Sequence, residues 1–209
     1  MDLVTRISEA LQRGDNNEVA QLTAEAIGSD LDPQVILDNG LIAGMDVIGE
    51  RFRTHEIFLP EVLLAARAMY AGLDRIEPLL ASSGVDSRGK VVIGTIQGDL
   101  HDIGKNLVGI MLRGAGFQVI DLGNDVSPED FVRASREEEA QVIGMSALLT
   151  TTMSNMGQTI ELLAQAGLQD EIHAIIGGAP VSEDFADQIG AAGYGYDGLS
   201  AVELVKRLL

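Results

Sequence analysis

The chain has no cysteine in its 209 residues, which removes disulfides, cysteine zinc sites, iron–sulfur clusters and thiol catalysis. Basic residues are scarce: 14 Lys and Arg stand against 32 Asp and Glu, a formal net charge of −18. So acidic a surface repels phosphate backbones and anionic lipid, which argues against nucleic acid and membranes as partners, although acidity often serves solubility alone. No stretch approaches the roughly 18 apolar residues of a membrane span. Residues 1–20, MDLVTRISEALQRGDNNEVA, lack the apolar core of a secretory signal. The expected location is therefore the cytoplasm. Histidine is limited to His55, His101 and His173, too few and too scattered for a zinc triad. No Walker sequence is present.

What the chain does have is an ordinary core composition, 46% hydrophobic against 22% charged. The apolar spacing changes partway along. Residues 1–81 read as helix: Leu3, Ile7 and Leu11 repeat at helical intervals up to Gly14, and Val19, Leu22 and Ile27 repeat them. Asp32-Pro33 is an N-cap followed by proline at the first helical position. A last helix is expected from about Leu59 to Leu80, so the predicted first domain is a bundle of four or five helices. Residues 82–89, within ASSGVDSRGK, are small and polar and read as a linker.

From residue 90 to 209 short β-branched runs alternate with helical stretches. KVVIGTI, FQVIDLG, AQVIGMSA and HAIIGGA are four predicted strands, and GYGYDG is a weak fifth before a terminal helix. Such alternation predicts a parallel sheet covered on both faces, with ligands at the carboxyl ends of its strands. GYGYDG also matches G-x-G-x-x-G, but it lies in the last strand–helix turn rather than the first, so it is no dinucleotide site. A phosphorylatable receiver needs an aspartate ending the third strand, where this chain has Ser146.

GTIQGDLHDIGKN, residues 94–106, places the only His-Asp cluster on the first strand–helix turn. A lone histidine makes a poor metal site unless the metal arrives held by its own macrocycle and lacks only an axial ligand. Asp99 can then accept a proton from one ring nitrogen of His101 and leave the other for metal. By themselves, Asp99, His101 and Asp102 read more readily as a helix cap. Gly104, inside the first helical turn, costs roughly 1 kcal/mol against alanine, a cost that makes sense if something bulky presses on the backbone. Gly177-Gly178 ends the fourth strand at the same edge. Ser146, Thr150, Thr151 and Thr152 line the end of the third. Ordinary turns and caps account for these residues too.

Together Asp99-x-His101-x-x-Gly104, Ser146-x-Leu148 and Gly177-Gly178 resemble the D-x-H-x-x-G, S-x-L and G-G signature of cobalamin-binding modules. GDLHDIGKN is similar to methionine synthase and to corrinoid proteins of methyltransferase systems. GMDVIGERFRTHEIFLPEVLLAARAM is similar to that family's helical cap. The resemblance implies a flavodoxin-like (Rossmann-like), doubly wound, five-stranded parallel sheet after the bundle. It implies a cobalamin or related corrinoid whose own base is displaced from cobalt, with His101 as the axial ligand, backed by Asp99. Thr152 matches the serine that completes this relay in methionine synthase. The cofactor would contact Gly98, Asp102, Ile103, Gly104 and Leu148, and its displaced tail would run toward Ser146, Thr150, Gly177, Gly178 and Gly198. Phe52 and Leu59 match apolar residues that cover the cobalt's other face; without the resemblance they read as bundle core.

The function so implied is a methyl carrier. A substrate:corrinoid methyltransferase would load the cobalt from a small donor such as a methylamine, methanol or a methoxylated aromatic. A second methyltransferase would deliver the group to a folate or thiol, and a reductive activase would restore the cofactor. The alternatives are a cobalamin-dependent sensor and, ranked last, a radical-mutase subunit.

Overall fold

Aspartate side chains set the starts of the first helices in the computed structural model, which describes residues 2–83 and 88–209. Asp2 accepts the Thr5 N–H at 2.8 Å ahead of α1 (Leu3–Gln12), and Asp15 accepts that of Glu18 at 3.0 Å ahead of α2 (Asn16–Gly28). Asp32 accepts the Gln34 N–H at 2.9 Å ahead of α3 (Pro33–Val35), with Pro33 in the first turn. Each cap satisfies a donor the helix leaves unpaired, worth about 1 kcal/mol. Ile7, Leu11, Val19 and Leu22 are buried as their spacing predicts, while Leu3 and Ile27 are half-buried.

The chain stays helical from Pro33 to Arg53, but Ile36–Ile42 forms a π-helical stretch before α4 (Ala43–Arg53). This region crosses α1 on small residues: a Cβ on Gly40 would stand 3.2 Å from Ile7 Cγ2, and one on Gly44 would stand 3.2 Å from the Ser8 carbonyl oxygen. Apolar spacing carries no sign of the wider turn. The last helix of this part, α5 (Leu59–Ser83), passes through Pro78 and runs on into Ser82 and Ser83 of the predicted linker. No glycine or proline stands between Leu80 and Gly84 to end it sooner. Residues 84–87 of that linker lie outside the described residues. The chain divides into two compact units, Met1–Ser87 with Gly114–Gly116, and Arg88–Arg113 with Phe117–Leu209.

The second unit alternates strand and helix. β1 (Lys90–Thr95), α6 (Ile103–Gly114), β2 (Gln118–Asp121), α7 (Pro128–Glu137) and β3 (Val142–Ser146) come first. α8 (Ser154–Gln165), β4 (His173–Gly177), α9 (Glu183–Ile189), β5 (Gly193–Gly195) and α10 (Gly198–Leu208) complete it. All strand pairs are parallel, in the order β2-β1-β3-β4-β5, which is the flavodoxin-like doubly wound sheet. Val92, Phe131, Ile143 and Ile176 are among the buried side chains of its core. Thr95, Ser146, Gly177 and Gly195 are in register across the carboxyl edge. The order reverses between β1 and β3, and the crevice beyond their carboxyl ends is where such sheets bind ligands. Among the described residues no helix is long and apolar enough to cross a membrane.

Candidate functional site

Residues 96–102, between β1 and α6, open at that switch point. The Asp99 N–H donates to the Ile96 carbonyl at 3.1 Å, closing a turn in which Gly98 has φ +84°, a conformation open to glycine. The turn folds the Asp99 side chain inward, where it is fully buried. Its Oδ1 accepts from the backbone N–H of His101 at 3.0 Å and from the ring Nδ1 at 2.7 Å. Its Oδ2 accepts from the backbone N–H groups of Leu148 at 2.6 Å and Leu149 at 3.0 Å. Burial pushes the Asp99 pKa up, but the hydrogen bonds from His101, Leu148 and Leu149 outweigh it and bring it down to about 2. A carboxylate in this position assigns the His101 proton to Nδ1 and leaves a lone pair on Nε2. The His101 side chain is 53% exposed, and among the described residues no hydrogen bond engages Nε2. His173 lies at the opposite end of the sheet, as the first residue of β4.

The predicted neighbours divide by what holds them. Leu148 reaches Asp99 through its backbone N–H. Thr152 departs from the expected relay: its hydroxyl donates to the Leu149 carbonyl at 2.8 Å, so its single proton is not offered to Asp99. The reason is geometric, because the two amides of the β3–α8 loop already occupy Asp99 Oδ2. Gly177 and Gly178 owe their identity to protein backbone. A Cβ on Gly177 would stand 2.9 Å from the Gly195 carbonyl oxygen, and one on Gly178, where φ is +123°, would stand 1.8 Å from that of Ala147. Gly198 is pressed by Met111, whose sulfur would lie 2.5 Å from an added Cβ. Ser146 is half-buried at the edge, and Thr150 is exposed. Asp102 precedes α6, and its carbonyl accepts the Asn106 N–H at 2.8 Å. Phe52, near the end of α4, and Leu59, the first residue of α5, are both half-buried.

Gly104 is the contrasting case. It is exposed, and nothing lies within 4 Å of an added Cβ, so no protein contact accounts for a glycine in a helical first turn. Around it the surface is apolar without protein cover: Leu100 is 68% exposed and Ile103 77%, with Leu148, Leu149 and Tyr196 also exposed on loops at the same edge. One imidazole nitrogen without a partner, ringed by exposed apolar side chains and open backbone, fits a broad, largely apolar macrocycle that needs one axial ligand. Among the described residues no group of three or more His, Cys, Asp or Glu could hold a bare ion.

Several further residues support the pair, Thr95 and Lys105 from within GTIQGDLHDIGKN and Asp125 from outside it. The Thr95 hydroxyl, fully buried, donates to the His101 carbonyl at 3.0 Å. The buried Lys105 ammonium reaches both Asp121 oxygens and Asn106 Oδ1, each at 2.6 Å, tying the first turn of α6 to the end of β2. Asp125, in the β2–α7 loop, contacts the turn at Gly98 and Asp99. The one available cue was a charged segment, GNDV, directly after a strand that ends at the same edge.

Known proteins share this fold. Residues 89–203 and residues 3–77 match two families, each described as a B12 binding domain. The chain is 42% identical to a corrinoid protein of Desulfitobacterium hafniense strain Y51 over 212 residues, covering 100% of this chain and 98% of the relative. It is 43% identical to the trimethylamine corrinoid protein of Methanosarcina barkeri over 210 residues, covering 100% and 97%. It superposes on a chain of the methanol:cobalamin methyltransferase complex of Methanosarcina barkeri with a TM-score of 0.86 and 32% identity, over 98% of this chain and 78% of that one. The chain belongs to the B12-binding corrinoid proteins, and its cofactor is a cobalamin or related corrinoid.

Proposed function

We propose that the protein is a methyl carrier in the cytoplasm, receiving the group from a substrate:corrinoid methyltransferase and yielding it to a second methyltransferase that serves a folate or thiol. When bound, the corrinoid supplies a cobalt centre able to accept and release a methyl group. The chain's own part begins at His101, whose Nε2 carries a free lone pair at the edge of the sheet. Asp99 holds the imidazole in the ligating tautomer and compensates positive charge that builds on it. Leu148 and Leu149 hold Asp99 through their amides. Leu100, Ile103 and Leu148 would offer the ring an apolar surface, and Gly104 would leave it room. Ser146, Thr150, Gly177, Gly178 and Gly198 border the path of the displaced tail. The same reading assigns Phe52 and Leu59 to shield the opposite face of the ring. A reductive activase would serve this carrier as it serves others of the kind.

The observation that carries this reading is the ionised, fully buried Asp99 aiming a free imidazole nitrogen outward at the β1/β3 switch point. The similarity to trimethylamine and methanol systems supports small methylated donors. The test is to load the purified protein with hydroxocobalamin and reduce it. It is then offered isotopically labelled trimethylamine or methanol with the matching methyltransferase. The expected result is label retained on the protein and then chased into a folate or thiol by a second methyltransferase. Label that never leaves the donor, across the panel of donors and enzymes, contradicts the carrier role.

A further inference from the structure

We infer that Asp125 is a positioning residue that holds the Asp99–His101 pair in its ligating arrangement. The inference rests on the reading of His101 as the axial ligand. Asp125 has φ +55°, a left-handed conformation that few residues other than glycine adopt and that Asp and Asn tolerate best. From that conformation both its side chain and its own N–H reach the β1–α6 turn. Its Oδ1 accepts the Gly98 N–H at 2.7 Å, and its backbone N–H donates to the Asp99 carbonyl at 3.1 Å. The two bonds bracket Gly98 and Asp99, one on each side.

Neighbouring groups extend the grip. Asn124 Nδ2 reaches the Leu100 carbonyl at 3.5 Å, and the Thr95 hydroxyl holds that of His101 at 3.0 Å. Each residue from 98 to 101 therefore has a main-chain group held from outside the turn. The β2–α7 loop is itself fixed. Leu122 donates to the Ile93 carbonyl at 2.8 Å, Val126 to that of Thr95 at 3.0 Å, and Gly123 to Asp121 Oδ1 at 2.8 Å. Without the clamp, Gly98 at φ +84° is the free joint of the turn. Rotation there would swing the Asp99 carboxylate, which holds the imidazole through Nδ1. Backbone strain at a non-glycine residue is retained where it serves such a constraint.

Two variants separate the acceptor from the charge. Asp125→Gly relaxes the left-handed backbone and removes the acceptor, so the fold is preserved. Asp125→Asn keeps an acceptor and tolerates the same φ but removes the charge. The first measurement uses protein without cofactor and with ¹⁵N-labelled histidine, at one fixed pH where the imidazole is neutral. The His101 ring should show the Nδ1–H tautomer in the parent and in Asp125→Asn, and a mixture of tautomers in Asp125→Gly. The second measurement loads hydroxocobalamin and reads the visible spectrum, where the His-ligated to unligated ratio should fall about tenfold in Asp125→Gly alone. Parent-like tautomer and ratio in Asp125→Gly, whatever its melting temperature, overturns the clamp. Equal shifts in the two variants overturn it as well, because they show an effect of charge. If His101→Ala leaves the corrinoid spectrum unchanged, the ligand reading fails, and the tautomer measurement still judges the clamp.

Discussion

Replacing Asp99 with asparagine changes a single atom, yet it should reverse the chemistry of His101. The carboxylate accepts four hydrogen bonds, two on each oxygen. An amide offers one acceptor oxygen and one NH₂. Two fixed backbone donors, the Leu148 and Leu149 N–H groups, face one oxygen and a single one, the His101 N–H, faces the other, so the asparagine oxygen turns to the pair. Its NH₂ then meets the Nδ1–H of His101, and the imidazole escapes the donor–donor contact by moving its proton to Nε2. The ligating nitrogen thereby loses its lone pair. A hydrogen bond to a charged group contributes about 1.5–3 kcal/mol, and loss of such an outer partner lowers metal affinity about 10- to 100-fold. The cofactor should remain bound through its ring and tail while the share ligated by His101 drops by that factor. The assay pairs the tautomer state of ¹⁵N-labelled His101 in the cofactor-free protein with the visible spectrum of the loaded one. An Nδ1–H tautomer and an unchanged spectrum in Asp99→Asn would refute the reasoning.

The other predictions concern the support around that pair. Thr152→Val should leave the corrinoid spectrum at its parent form, because the hydroxyl serves the Leu149 carbonyl, and should cost about 1 kcal/mol in urea unfolding. Gly178→Ala should destabilise by at least about 3 kcal/mol in the same assay, since its Cβ would meet the Ala147 carbonyl at 1.8 Å under φ +123°. Asp99 titrates near 2 in the fold against 3.8 as its ordinary value, so it adds about 2 kcal/mol of stability at neutral pH. That contribution is complete above pH 4 or so and fades as pH falls from there through about 2. Urea titrations of parent and Asp99→Asn should therefore converge on acidification, and a constant gap would be contrary.

Much of the architecture was legible because it is written in periodicity. The shift from helical spacing to β-branched runs at residue 90 marks where the sheet begins, and the four predicted strands contain β1 to β4. The motif residues Asp99 and His101 were legible because their types and spacing limit what they can do. Other features depend on three-dimensional placement. The π-helical stretch at Ile36–Ile42 arises where Gly40 and Gly44 cross α1, which no local pattern announces. Thr152 matched a relay serine by position, but which acceptor a hydroxyl finds is decided by the two amides that reach Asp99 first. Gly177-Gly178 was legible as a place of close approach, but the backbone that passes there, at Gly195 and Ala147, is seen only in the fold. Asp125 belongs to a loop distant in sequence and is brought to the turn only by the pairing of β1 with β2.

The central claim is that His101 gives its Nε2 to the cobalt. Its most direct test is the electron paramagnetic resonance spectrum of the protein loaded with the corrinoid and reduced by one electron, prepared with natural-abundance and with ¹⁵N-labelled histidine. The account predicts that the axial nitrogen splitting changes from a triplet to a doublet on labelling and disappears in His101→Ala. A splitting that stays a triplet in the labelled protein would show that the corrinoid keeps its own base, and would contradict the account.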